Sequence, residues 1–155
     1  MTIEKRIKPH LGSLLRFARH LTGEKSAAED LVQDTLVYIL ENRQKFMKLD
    51  PVRPWVMRCL YHRFVDNYRR FNRYELVSLE CLDVLESPGQ RLDDAYFGEQ
   101  VLALIGTLSA AQRTAVSLFD IDGYSLNEIA IIMEIPQSTV KSHIYRGRKA
   151  IKMKL

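Results

Sequence analysis

The chain has 155 residues, enough for one ordinary domain or two very small ones. Its composition, 46% hydrophobic and 27% charged, is that of a globular protein and excludes a wholly disordered chain. The net charge is +4, no apolar run is long enough for a membrane span, and two cysteines are too few for a disulfide framework, so we expect a cytoplasmic protein with no membrane insertion.

Three helices are predicted in the first half of the chain from apolar residues at helical spacing. The first covers residues 11–21 and is predicted to end at Gly23 as a C-cap. Residues 26–29 have the pattern of a capping box that starts the second helix. A third helix is predicted over residues 53–70. The predicted buried stripe of the second helix is Ala28, Leu31, Val32, Leu36, Ile39 and Leu40.

The pattern weakens after the third helix and resumes near residue 96. Ser109 and Ser125 are predicted N-caps of two further helices, and a last helix is predicted over residues 137–153. No alternating strand pattern of useful length is present, so the predicted fold class is all-α. We predict two small helical domains joined by a flexible acidic linker, with boundaries at residues 1–73, 74–94 and 95–155.

The charge is divided along the chain in the same way. Residues 1–74 carry 15 basic and 8 acidic residues, whereas residues 75–94 carry one basic and six acidic residues. Residues 135–155 carry six basic residues and no acid. Clustered cations bind polyanions through counterion release, so nucleic acid is the first partner that this distribution suggests.

Residues 125–149 have the pattern of a DNA-binding helix-turn-helix. Ala130 is small where two helices must cross closely, and Ile135 is an apolar residue in the turn. The predicted exposed face of the second helix offers hydroxyls, an aromatic edge and cations, with no carboxylate to repel phosphate. A solvated basic end of a helix is the alternative interpretation.

Two different surfaces are predicted on the first lobe. A stripe on the third helix mixes cations with aromatic residues, which suits the phosphates and unstacked bases of a single strand, although a plain basic surface with half-buried tyrosines is the alternative. The second helix has an exposed stripe that, from the residues alone, is most simply a solvated acidic face. That stripe contains Asp30, Gln33, Asp34, Val37 and Glu41.

Six motifs, in this order and spacing, give the chain a resemblance to the sigma-70 family of bacterial transcription initiation factors, in particular the small extracytoplasmic function (ECF) group. The motifs are AEDLVQDT at 28–35, PWVMR at 54–58, DNYRR at 66–70, LSAAQR at 108–113, GYSLNEIA at 123–130 and PQSTVKSHIYR at 136–146. The first lobe resembles region 2 of that family, and the second resembles region 4.

The resemblance implies partners and contact residues. The partners are core RNA polymerase (the β′ clamp helices and the β flap), promoter DNA and an anti-sigma factor. The implied polymerase contacts are Asp30, Leu31, Gln33, Asp34 and Val37. The implied contacts to an opened −10 element are Arg58, Tyr61, His62, Asp66, Arg69, Arg70 and Arg73. The implied contacts to a duplex −35 element are Ser138, Thr139, Lys141, Ser142, Tyr145, Arg146 and Lys149.

One departure from the family concerns His62, which stands where many relatives carry Asn and puts the base preference at −10 in question. The resemblance implies no catalysis, and we expect no cofactor and no metal, because the four histidines have no metal-ligand spacing. Two other functions remain open. One is a sigma mimic that sequesters an anti-sigma protein without binding promoters, and the other is an ordinary helix-turn-helix regulator.

Overall fold

The computed structural model describes residues 2–71 and 97–154, and every regular element in those residues is a helix. The all-α prediction is therefore confirmed for the described chain. The predicted linker and Arg73 lie outside the described residues, and the domain boundaries remain predictions. The first lobe contains α1 (Ile3–Ile7), α2 (Leu11–Thr22), α3 (Lys25–Glu41), α4 (Arg43–Lys48) and α5 (Arg53–Phe71). The second lobe contains α6 (Phe97–Gly106), α7 (Ala110–Val116), α8 (Leu126–Met133) and α9 (Gln137–Lys154).

The junction between α2 and α3 confirms one predicted cap and corrects another. Gly23 has φ 74°, and its N–H donates to the carbonyl of Arg19 at 2.8 Å, so α2 ends in the left-handed C-cap that only glycine adopts at little cost. The predicted capping box at Ser26 is wrong. The chain enters α3 through extended Glu24, and the Ser26 hydroxyl donates to the Glu24 carboxylate at 2.9 Å instead of capping the helix.

The core of the first lobe is formed where α2, α3 and α5 pack on one another. Phe17 of α2, Ile39 of α3 and Leu60 of α5 are all at most 1% exposed. The helical spacing predicted this face, except that Leu40 is exposed. The short helices α1 and α4 were not predicted, because each contributes too few apolar residues to establish a period. They nevertheless bury Ile3, Ile7 and Phe46.

Both predicted serine caps of the second lobe are confirmed. The Ser109 hydroxyl accepts from the N–H of Gln112 at 3.2 Å. Ser125 forms a reciprocal capping box with Glu128, and both of its hydrogen bonds are 3.1 Å long. Helix α7 ends at Val116 and is followed directly by a π-helical turn over Ser117–Ile121.

The two lobes pack directly against each other. Helix α5 lies along α8, and α2 contacts both α6 and α7, so that buried apolar residues from both lobes form one continuous cluster. The sequence predicted two lobes but not this interface. The guanidinium of Arg113, only 3% exposed, crosses it and donates to the carbonyl of Leu21 at the end of α2 and to that of Leu108 at 3.1 Å.

Candidate nucleic-acid interfaces

Helix α9 presents an exposed polar face on the outside of the second lobe. Val140, Ile144 and Gly147 are buried, which orients the opposite side of the helix outward. Tyr145 lies on this outward side and is 67% exposed. The predicted −35 residues all lie on this side, with Thr139 partly buried and the others exposed: Ser138, Lys141, Ser142, Tyr145, Arg146 and Lys149.

The position of α9 depends on a close crossing with α7. A Cβ atom added to Gly147 would lie 2.6 Å from Cγ2 of Val116, so only glycine allows this approach. Arg148 holds the same region from the side, donating to Asp120 at 2.9 Å and stacking over the Phe119 ring at 5.5 Å. Arg148 therefore positions α9 against its own lobe, a role that the basic pattern of the sequence did not distinguish from DNA contact.

Helix α5 carries the predicted −10 stripe, but the residues of that stripe differ in their exposure to solvent. Asp66, Arg69 and Arg70 are exposed, and Arg58 and His62 are partly buried. Tyr61 is only 3% exposed and packs into the core of the first lobe, so its contact with DNA stays a prediction that this burial does not support. Helical spacing placed Tyr61 beside the stripe and could not reveal that α5 is covered on two sides.

A cavity of about 380 Å³ opens beside this stripe, between α3, α4 and α5. Its wall combines aromatic rings with cations: Arg63 stacks over Tyr38 at 4.8 Å, and Arg58 lies 5.3 Å from the centre of the Trp55 ring. Trp55 lines this cavity and also packs, partly buried, against the core. The remaining lining residues are Lys45, Phe46, Leu49, Cys59, His62 and Asp66.

Burial shifts the pKa values of two residues that line this cavity, Cys59 and His62, toward their neutral forms. Burial raises the pKa of the Cys59 thiol to about 11 against the opposing effect of Arg63, so the group is not a reactive thiolate at neutral pH. Burial, followed by the charge of Arg58, lowers the pKa of His62, and Asp66 opposes the shift. A neutral His62 both donates and accepts hydrogen bonds, as base recognition requires.

Four of the five residues predicted to contact polymerase are exposed on α3. Asp30, Gln33 and Asp34 are exposed, and Val37 is 53% exposed among them. Leu31 is only 3% exposed and packs into the core beneath this face, so its contact with polymerase stays a prediction. The face as a whole is acidic, with Val37 as an exposed apolar side chain on it.

The interface between the lobes reaches the −10 stripe. The Glu134 carboxylate, at the end of α8, forms an ion pair with Arg58 and lies 3.0 Å from Nε2 of His62. Farther along the same interface, the Arg53 guanidinium stacks over the Tyr124 ring at 3.9 Å. None of these contacts was predicted, because each joins residues that are remote in sequence.

Other kinds of site receive no support in the described part of the chain. Within residues 2–71 and 97–154, no three His, Cys, Asp or Glu side chains are grouped so that they could hold a metal ion. Over the same residues, no helix has the length and apolarity needed to cross a bilayer.

Two protein-family models match the chain. Residues 98–151 match the family described as Sigma-70, region 4, and residues 7–61 match the Sigma2 domain of PhyR. The chain is 31% identical over 141 residues to the ECF RNA polymerase sigma factor EcfG of Rhodopseudomonas palustris, which covers 90% of this chain and 77% of EcfG. It is 30% identical over 151 residues to the ECF RNA polymerase sigma factor SigE of Mycolicibacterium smegmatis, covering 94% of this chain but only 58% of SigE.

Solved structures give the same fold. The sigma factor RpoE of Bartonella quintana, crystallised in complex with the anti-sigma factor NepR, superposes with a TM-score of 0.77 at 23% identity, covering 97% of this chain and 94% of RpoE.

Proposed function

The chain belongs to the ECF family of RNA polymerase sigma factors, and we propose that it directs polymerase to promoters by binding two DNA elements with two different helices. The observation that supports this proposal is the contrast between two cationic surfaces. Helix α9 offers an exposed face with only a shallow depression, whereas α5 borders a more enclosed cavity lined with aromatic rings and cations. An exposed helix face suits the groove of an intact duplex, and a cavity of this kind suits bases that have left the stack.

Helix α9 is proposed to read the −35 element in the major groove. Lys141, Ser142, Tyr145 and Arg146 surround one shallow depression on its exposed side, at the centre of the face that a groove would meet. An arginine in this position can donate two hydrogen bonds to a guanine, and lysines at the edges can hold phosphates. Lys149, one turn farther along α9, extends the cationic edge.

Helix α5 is proposed to hold the opened strand of the −10 element. Exposed Arg69 and Arg70 can bind phosphates, and the neighbouring cavity can accept a flipped base against Trp55 or Tyr38. Stacking on an aromatic ring stabilises any base, and His62 at the cavity wall adds a polar group that can discriminate among them. The volume of about 380 Å³ lies at the small end of ligand cavities, as expected for a single base.

Two protein partners complete the proposal. Core polymerase would bind the acidic face of α3 through its β′ clamp helices, while α9 and its lobe contact the β flap. An anti-sigma factor is the second partner, because a solved relative of the same fold is described in complex with one. The proposed role makes and breaks no covalent bond, so the chain acts by positioning the polymerase and not as an enzyme.

Run-off transcription tests the proposed function. Core polymerase purified without its own sigma subunit is combined with the chain on a pool of promoters with randomised elements, and the transcribed templates are sequenced. We expect transcripts that depend on the chain and that share two enriched elements. Absence of chain-dependent transcripts, together with normal polymerase binding, would contradict promoter recognition.

The second candidate is a sigma mimic that sequesters an anti-sigma protein. The observation that favours it is the match of residues 7–61 to the Sigma2 domain of PhyR. The exposed cations on α9 argue against it, because a pure mimic has no need of a DNA-reading face. Binding of an anti-sigma protein without chain-dependent transcription would favour the mimic.

A further inference from the structure

Glu134 has a backbone conformation that is unusual for its residue type. It is the C-cap of α8, with φ 55° and ψ 45°, and it is the only residue other than glycine with a positive φ among the described residues. Glycine is the common choice at this position because any Cβ is strained in the left-handed region. A glutamate at such a position therefore suggests that its side chain has a task.

The side chain reaches the other lobe. One carboxylate oxygen of Glu134 pairs with the Arg58 guanidinium, and the second lies 3.0 Å from Nε2 of His62. Arg58 and His62 also line the cavity proposed to accept a base. The Glu134 carboxylate thus contacts the two side chains, Arg58 and His62, that the proposed function assigns to binding of the opened strand.

Two further contacts between the lobes have the same distribution of charge. Arg16 of α2 lies 3.6 Å from Asp122, whose side chain is only 4% exposed, and Arg53 stacks over Tyr124. In each case a cation of the first lobe meets an anionic or electron-rich group of the second. Since α5 also packs against α8, the side of Arg58 that faces α8 is not open to a DNA strand.

We propose that Glu134 acts as an intramolecular substitute for a DNA phosphate, holding the chain in a closed state in which the −10 surface is partly covered. Opening of the contact between α5 and α8 precedes binding of the single strand. This inference rests on the proposed function of α5. It predicts that the closed state lowers the apparent affinity for single-stranded DNA by the fraction of molecules that are open.

The test compares three variants of the full chain at one fixed salt concentration. Glu134→Gln removes the charge, and Glu134→Gly removes the charge and also relieves the backbone strain, so the folded state is retained. Glu4→Gln removes an exposed charge on α1 and is the control for net charge. The probe is a fluorescent single-stranded DNA of random sequence, and small-angle X-ray scattering reports the radius of gyration of each chain.

We expect both Glu134 variants to bind the probe roughly tenfold more tightly and to scatter as more expanded particles, while Glu4→Gln behaves like the wild type. The gain should vanish when Arg58→Ala is already present, because the pair is then broken. Equal affinity and equal size in all variants would overturn the closed state. Expansion of the Glu134 variants without any DNA binding would support the closed state and contradict the proposed role of α5.

Discussion

Helices α5 and α9 are both long, basic and exposed in part, yet they are held in different ways. The position of α9 depends on its own lobe, through the close crossing at Gly147 and the clamp between Arg148 and Asp120. The described surface of α5 is instead covered partly by the other lobe, with Glu134 on Arg58. The face proposed to read the duplex is thus formed in advance, whereas the proposal has the face for the opened strand become fully available only when the lobes separate. This order fits DNA that is bound as a duplex before it is melted.

The largest effect is expected at the exposed acidic face of α3, which is proposed to bind the polymerase. Asp34→Lys reverses a charge at the centre of the exposed acidic face of α3. We expect the variant to lose association with core polymerase, measured by co-purification, while its circular dichroism stays unchanged. Glu4→Lys, the same reversal at an exposed site on α1, should associate normally. Normal co-purification of Asp34→Lys would remove the α3 face from the account.

The contact between the lobes should depend strongly on Arg113. Replacement by alanine leaves the carbonyls of Leu21 and Leu108 without their buried donor. We expect a loss of about 3 kcal/mol in the free energy of unfolding, measured with urea. Burial lowers the pKa of Arg113 to about 10, so the group remains charged at neutral pH and the loss should be constant from pH 6 to 8. A loss below about 1 kcal/mol would indicate that the interface does not need this residue.

Acid should lower the free energy of unfolding through protonation of His20 in α2. Burial, and secondarily Arg16, lowers the pKa of His20 from 6.5 to about 4. The unfolded chain therefore takes up a proton at a higher pH than the folded chain, and stability that is complete above pH 6.5 is lost as the pH falls toward 4. This histidine should contribute a loss of roughly 2–3 kcal/mol over that range. His20→Gln should flatten that part of the profile, and an unchanged slope would contradict the assignment.

Two arginines of α9 offer a direct test of the distinction between reading and positioning. Arg146→Ala should weaken binding to a selected −35 duplex by roughly 1–3 kcal/mol and relax the preference at one base pair. Arg148→Ala removes the clamp on Asp120 and should weaken binding less, without a change in base preference. The measurement is the binding affinity of each variant for the −35 duplex at one fixed salt concentration. The reverse ranking would mean that the roles are exchanged.

The smallest effect expected concerns Gly147 in α9 and Gly12 in α2. Gly147→Ala places a methyl group against Val116, and we expect a net loss of about 1 kcal/mol in the free energy of unfolding. Gly12→Ala in α2 meets no atom within 4 Å and should instead raise stability by about 0.5–1 kcal/mol. The opposite signs of two identical substitutions make thermal unfolding a sufficient measurement, and equal shifts would contradict the close crossing.

The sequence predicted what local physics determines. Gly23, Ser109 and Ser125 were recognised as caps because each satisfies backbone groups a few residues away. The exposed face of α9 was predicted because helical periodicity separates its two sides. In contrast, Ser26 was misread, since a capping pattern cannot show whether the preceding residue is extended.

The interface between the lobes could not be predicted in this way. Glu134 and Arg58 are distant in sequence, and no periodicity relates α8 to α5. Tyr61 was assigned to a surface for a related reason, because a residue beside an exposed stripe can be covered by a third helix, whereas the burial of Leu31 follows the predicted apolar stripe of α3. The cavity beside α5 was missed because Tyr38 and Phe46 come from helices that the stripe does not include.

Footprinting of an open complex tests the central claim most directly. Core polymerase and the chain are placed on a promoter taken from the selected pool, and the DNA is probed with hydroxyl radicals for protection and with permanganate for unpaired thymines. The account predicts a protected duplex upstream that Arg146→Ala weakens, and a reactive opened segment downstream that is lost when Arg69 and Arg70 are replaced by alanine. A single protected region, or opening that survives the α5 substitutions, would contradict it.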